Sequence, residues 1–160
     1  MYVDFDILPD NSRIWIYQSN RELTENEVTG INTKLKGFVN NWQRHGEDLR
    51  ASFIIKYNQF IVLGVDENAN DVSGCSIDSS VHSIKQLEAE FGLDLMNKLN
   101  VSFKDGDTIN TVSLAEFKTF VKSKKVNKET IVFNNMVQSK FELVSNWEVP
   151  ADQSWHKRFF

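Results

Sequence analysis

Residues 74–82, Gly-Cys-Ser-Ile-Asp-Ser-Ser-Val-His, hold the densest group of side chains in the sequence that could do chemistry. A thiol at a helix start feels the positive end of the helix dipole, which favours thiolate and can stabilise an oxyanion. Cys75 is the only cysteine, His82 the only histidine nearby, and Asp78 lies one helical turn before His82. Cys75, His82 and Asp78 could therefore act as nucleophile, base and orienting carboxylate in acyl transfer or hydrolysis. Plainer readings compete. Asp78, Ser79 and Ser80 are residue types that cap helices, and an unreactive cysteine packs as a small apolar residue. A carboxylate beside the thiol would also oppose the thiolate. A third reading is an anion site, in which Gly74 supplies backbone amides and Ser76, Ser79 and Ser80 supply hydroxyls.

Just upstream, Asp66-Glu67-Asn68-Ala69-Asn70 matches the first three side-chain ligands of a calcium loop. The pattern then stops, because the sixth position is Asp71 instead of glycine and the twelfth is Ile77 instead of glutamate. Asp66, Glu67 and Asp78 remain a conceivable divalent-ion cluster, against the plainer reading of a solvated acidic loop. No cofactor motif is present, so no cofactor is expected.

These residues need a scaffold, and the chain supplies alternating elements. Residues 13–17 (Arg-Ile-Trp-Ile-Tyr) read as a strand. Thr24 and Glu27 have capping-box spacing, and Val28, Ile31, Leu35, Phe38, Val39 and Trp42 follow as an apolar helical stripe with Gly46 as its expected stop. His45 would then sit at that helix's C-terminus. Gly30 and Gly37, on one helix face, imply close packing against a sheet. Residues 51–57 and 60–65 read as hairpin strands joined by Asn58-Gln59, the second apolar on both faces and so central. A loop over 66–78 leads to a second helix, with Val81, Ile84, Leu87 and Phe91 inward and Gly92 as its stop. A strand at 101–103 would complete a ferredoxin-like split βαβ unit.

From residue 104 the sequence reads as a smaller module. Asp105-Gly106 marks a hairpin turn, Ser113 and Glu116 repeat the capping-box spacing, and residues 130–133 form a strand. Trp147 and Trp155 flank Pro150 in an irregular tail, where Asp152 could cap a last short helix. The expected architecture is α+β: an antiparallel sheet with helices on one face over 1–103, and a small α+β module over 104–160.

The balance of 18 basic against 22 acidic residues gives −4 at pH 7, which argues against general nucleic-acid binding, though not against local basic patches such as Lys122, Lys124, Lys125 and Lys128. One cysteine excludes an internal disulfide, and no apolar run approaches a membrane span of ~18 residues. The start carries two acids and no basic segment, so a cytoplasmic location is expected.

The loop Gly74–Val81, taken with residues 42–46 (Trp-Gln-Arg-His-Gly), 65–67 (Val-Asp-Glu), 132–135 (Val-Phe-Asn-Asn) and 147–150 (Trp-Glu-Val-Pro), resembles a family of small uncharacterised bacterial proteins. Its members often carry the automatic label "ABC transporter ATPase". No Gly-x-x-x-x-Gly-Lys-Ser/Thr occurs here, so the phosphate-cradling loop that the label requires is missing. The resemblance implies kinship without a reaction. Residues 112–150 are similar in outline to small GYF-like modules, without the aromatic signature of their peptide groove. The expected function is therefore binding of an unidentified protein or small molecule, with the Cys75-centred enzyme as the alternative.

Overall fold

In the computed structural model, which describes all 160 residues, Phe60–Val65 (β5) is the centre of a three-stranded antiparallel sheet. Its neighbours are Arg13–Gln18 (β1) and Ala51–Lys56 (β4). All six β5 residues are buried, which explains a strand with no polar face. Ile61, Leu63 and Val65 share one side with Tyr17, Ala51 and Phe53, and two helices close this layer.

The first helix, α1 (Glu25–Asn40), begins with the expected capping box: the Glu27 amide donates to Thr24 Oγ1 at 3.2 Å, and the Thr24 amide donates to Glu27 Oε1 at 2.9 Å. Arg21 adds two bonds of 2.8 Å to the same carboxylate, and with the Thr24 amide it holds the Glu27 pKa down at about 2. The helix stops at Asn40, well before Gly46. Residues 41–49 instead turn Trp42 into the core and form a miniature hairpin of Gln43–Arg44 (β2) and Glu47–Asp48 (β3). His45 and Gly46, at φ 51 and 83, are its left-handed turn, so His45 is no helix terminus. The segment carries the indole to the start of the second helix, where its Nε1 donates to the Ser76 carbonyl.

The hairpin between β4 and β5 also differs in detail. Tyr57 and Asn58 take the left-handed positions, at φ 55 and 50. Gln59 is buried, pairing through its backbone and its amide with Ser19 at 2.8 and 3.1 Å. Its backbone amide donates to the Lys56 carbonyl at 3.0 Å and closes the turn, so the loop is the three residues Tyr57-Asn58-Gln59 instead of Asn58-Gln59.

Helix α2 (Gly74–Phe91) starts inside the segment expected to be loop, with Ser73 as N-cap and Gly92 as the expected left-handed stop at φ 63. The two α1 glycines have different reasons. A Cβ on Gly30 would lie 2.8 Å from the Phe91 ring of α2, whereas a Cβ on Gly37 would meet nothing within 4 Å. Gly37→Ala is therefore expected to stabilise the protein by up to about 1 kcal/mol. Gly30→Ala should lose that gain to overpacking and end at least ~1 kcal/mol less stable than Gly37→Ala. Urea midpoints of the two variants check this; equal midpoints would refute the close helix contact.

The chain divides into two compact units: Met1–Met96 with Gln138–Phe141, and Asn97–Val137 with Glu142–Phe160. In the second, a four-stranded antiparallel sheet runs β7-β6-β8-β9, made of Thr108–Ser113, Asn100–Asp105, Ile131–Phe133 and Glu148–Pro150. The strand expected to complete a split βαβ unit is thus β6, which pairs with β7 and β8. The tight Gly106-Asp107 turn commits it to β7, and Val101 and Phe103 then pack with Phe117 of α3 (Leu114–Lys122). Helix α4 (Lys140–Ser145) lies between β8 and β9 in sequence. Trp147 is buried against Phe133 and donates to Asn135 Oδ1 at 2.9 Å, while Trp155 packs beside the β6–α3 core. The last turn is capped by Ser154, whose Oγ accepts from the His156 amide, and not by Asp152. No helix is long and apolar enough to cross a membrane.

Candidate functional site

Helices α1 and α2 run antiparallel across the first sheet. Gly30 against Phe91 marks one end of the pair and Trp42 against Ser76 the other. Both ends are tight. At the first, the missing side chain of Gly30 lets the helices touch. At the second, Trp42 Nε1 donates to the Ser76 carbonyl at 2.9 Å, and Ser76 Oγ donates to the Gln43 carbonyl at 2.8 Å. Between them the helices leave a groove of about 820 Å³. Gly37 and Ala89 keep it open, half-buried Phe38 gives it apolar contact surface above the core residue Leu87, and Thr33, Ser83 and Gln86 add polar groups. Lys34 and Glu90, the two charged lining residues, pair at 3.4 Å. Both are well exposed, so that pair contributes at most about 1 kcal/mol.

The residues that the sequence marks as candidates lie on the same helix. Cys75, Asp78, Ser79 and His82 occupy one exposed face of α2, while Ser76 and Ser80 point the opposite way into the core. Cys75 and His82 are two turns apart, about 10.5 Å along the axis at ~1.5 Å per residue, far beyond hydrogen-bond reach. His82 Nε2 lies 3.3 Å from the Gln86 amide nitrogen, on the groove side. The structure therefore aligns Cys75, Asp78 and His82 on one face without joining them into a relay.

The serine hydroxyls expected as anion ligands have other partners. Ser73 caps the helix and contacts Ser76 Oγ, and Ser79 donates back to the Cys75 carbonyl at 3.0 Å. Ser80 donates to the Ile77 carbonyl and hydrogen-bonds the Tyr17 phenol, whose pKa is pushed up by burial. Gly74 and Ser79 are exposed, Ser76 and Ser80 buried, so the four do not face one ligand.

Asp66, Glu67 and Asp78 are likewise apart. The buried Asp66 carboxylate accepts from the Asn68 amide at 2.9 Å, forming a turn, and lies 3.9 Å from Arg50 Nε. Glu67 reaches Arg13 at 4.0 Å. No group of three or more His, Cys, Asp or Glu side chains is arranged to hold a metal ion.

No sequence motif points to the groove. Its one signal is the Gly30/Gly37 pair, whose spacing suggests two close contacts although only Gly30 makes one. Compared with known proteins, the chain matches no protein-family model, no curated protein and no solved structure.

Proposed function

We propose that the protein is a non-enzymatic binding protein that receives a segment of a protein partner in the α1–α2 groove. The observation that carries this reading is the groove's composition: half-buried Phe38 beside small Gly37 and Ala89, over a floor closed by the core residue Leu87, with the rest of the lining polar. An amphipathic segment laid between two helices needs this pattern, since apolar contacts give affinity and a polar border gives orientation. The volume alone would also suit a small molecule. A protein segment is favoured because the groove offers no buried charge or convergent polar set with which to orient one. A cytoplasmic setting belongs to the proposal as well.

The test is peptide selection against the protein, with Gly37→Arg as counter-screen. A Cβ at position 37 has no atom within 4 Å, so the arginine can leave the backbone without a clash and the variant should fold with its side chain lying in the groove. Selected peptides are expected to show apolar residues at i, i+3 and i+4 and to lose at least tenfold in affinity for Gly37→Arg. Peptides that bind both proteins equally would overturn the groove as the binding site.

A further inference from the structure

The second unit carries a separate surface with a different chemistry. Its residues hold nine Lys and Arg against seven Asp and Glu, whereas the first unit holds nine against fifteen. The excess is concentrated. Residues 117–128 contain Lys118, Lys122, Lys124, Lys125 and Lys128 and no carboxylate; residues 153–160 contain Lys157 and Arg158 and none either. All seven cations are exposed, and none makes an ion pair, unlike Lys104 of the same unit, which pairs with Glu148.

The fold brings the two stretches together. Phe117 of α3 contacts the rings of His156, Phe159 and Phe160, and Lys118 stands over Phe159 with its ammonium 5.4 Å from the ring centre. Arg158 stands over the same ring at 5.9 Å and over Trp155 at 5.8 Å, and its Nε donates to the Trp155 carbonyl at 3.3 Å. Lys125 lies 4.2 Å from the centre of Phe120. Aromatic faces thus hold three of the cations in place, so less side-chain entropy is lost when they meet an anion. Lys122 follows Lys118 by one helical turn, extending the patch along α3.

We propose that this patch binds the phosphodiester backbone of a nucleic acid, without reading base sequence. Seven exposed cations without ion-pair partners, bordered by Glu116, Glu129 and Asp152, whose amide donates to the Lys128 carbonyl, suit a dense line of phosphates, where counterion release drives binding. An anionic bilayer fits less well, because Trp155, Phe159 and Phe160 pack against the unit's own core and are not free to insert. The acidic first unit keeps the interaction weak, so the whole protein need not look like a nucleic-acid binder.

Fluorescence anisotropy of a labelled 20-nucleotide single strand, titrated with full-length protein across 50–200 mM salt, tests the proposal. Binding is expected with a dissociation constant of roughly 10⁻⁵ M at the lowest salt, weakening as salt rises. Lys118→Ala/Lys122→Ala should lower affinity at least fivefold and reduce the logarithmic salt slope by about 1.4, two phosphate contacts' worth for a single strand. Lys85→Ala, an exposed cation of the first unit, should change neither. Failure to bind, an unchanged slope in the double variant, or equal binding to polyglutamate or to phosphatidylserine vesicles would each overturn the proposal. The last two results would assign the patch to acidic proteins or to membranes.

Discussion

Trp42→Ala is expected to destabilise the protein by about 3–5 kcal/mol, the range for deleting a buried indole. Trp42 is 2% exposed, its ring centre lies 5.2 Å from Phe38 and 6.0 Å from Trp15, and its Nε1 donates to the Ser76 carbonyl. That one side chain therefore joins the end of α1, β1 and the first turn of α2. Trp42→Phe keeps most of the bulk and removes the hydrogen bond, and should cost about 1–2 kcal/mol through the lost bond and the smaller ring. Urea unfolding gives both values. Hydrogen exchange should also show faster opening of amides 76–80 in Trp42→Ala, because the α2 start loses its anchor. A loss below about 1.5 kcal/mol in Trp42→Ala would mean the indole is not the joint between these elements.

Elements whose periodicity and caps agree are legible in the amino-acid sequence alone. Thr24 with Glu27, the Ile31–Leu35–Val39 stripe, the apolar β5 and the Gly92 stop all fall where pattern places them. The departures share a cause. Each is a local signal that extends past the point where a tertiary contact takes control. Trp42 fits the helical stripe, but the helix ends at Asn40 and the 41–49 hairpin brings the indole onto the Ser76 carbonyl of α2. Gln59 is a turn residue as its position suggests, but its pairing with Ser19 buries it and Tyr57 joins the loop in its place. The strand at 101–103 suits either sheet by composition, and the short turn to β7 decides between them.

The candidate site is less legible, for a related reason. A helix beginning at Gly74 instead of near Asp78 changes what each side chain faces. Cys75, Asp78 and His82 still share a face, but rise along the axis separates the thiol from the imidazole. The clustered serines signal helix-start and core bonding. Ser76 in particular ties α2 to the β2–β3 hairpin. The groove is a product of two helices far apart in sequence, and only the difference between Gly30 and Gly37 marks where they touch and where they part.

Acid should weaken the second unit through His156. This imidazole is 1% exposed, stacked on Trp155 with ring centres 3.9 Å apart, edge-on to Phe117, and hydrogen-bonded through Nδ1 to Ser154 Oγ. Burial, and after it the positive charge of Arg158, pushes its pKa down to about 4 from the ordinary 6.5. Unfolding returns it to the ordinary value, so between those pH values the unfolded chain holds the extra proton. Stability is then intact above pH 6.5, falls as pH drops, and has lost the whole contribution below about pH 4. At about 1.4 kcal/mol per pKa unit, the loss is on the order of 3 kcal/mol. Carboxylates such as Glu27 also titrate in acid, so the wild type must be read against His156→Gln, which keeps a polar side chain and cannot protonate. Urea unfolding from pH 7.5 to 4 should show the wild-type advantage shrinking steadily below pH 6.5. A difference that stays constant over that range would mean His156 titrates alike in the folded and unfolded chain, so that burial does not hold its imidazole neutral.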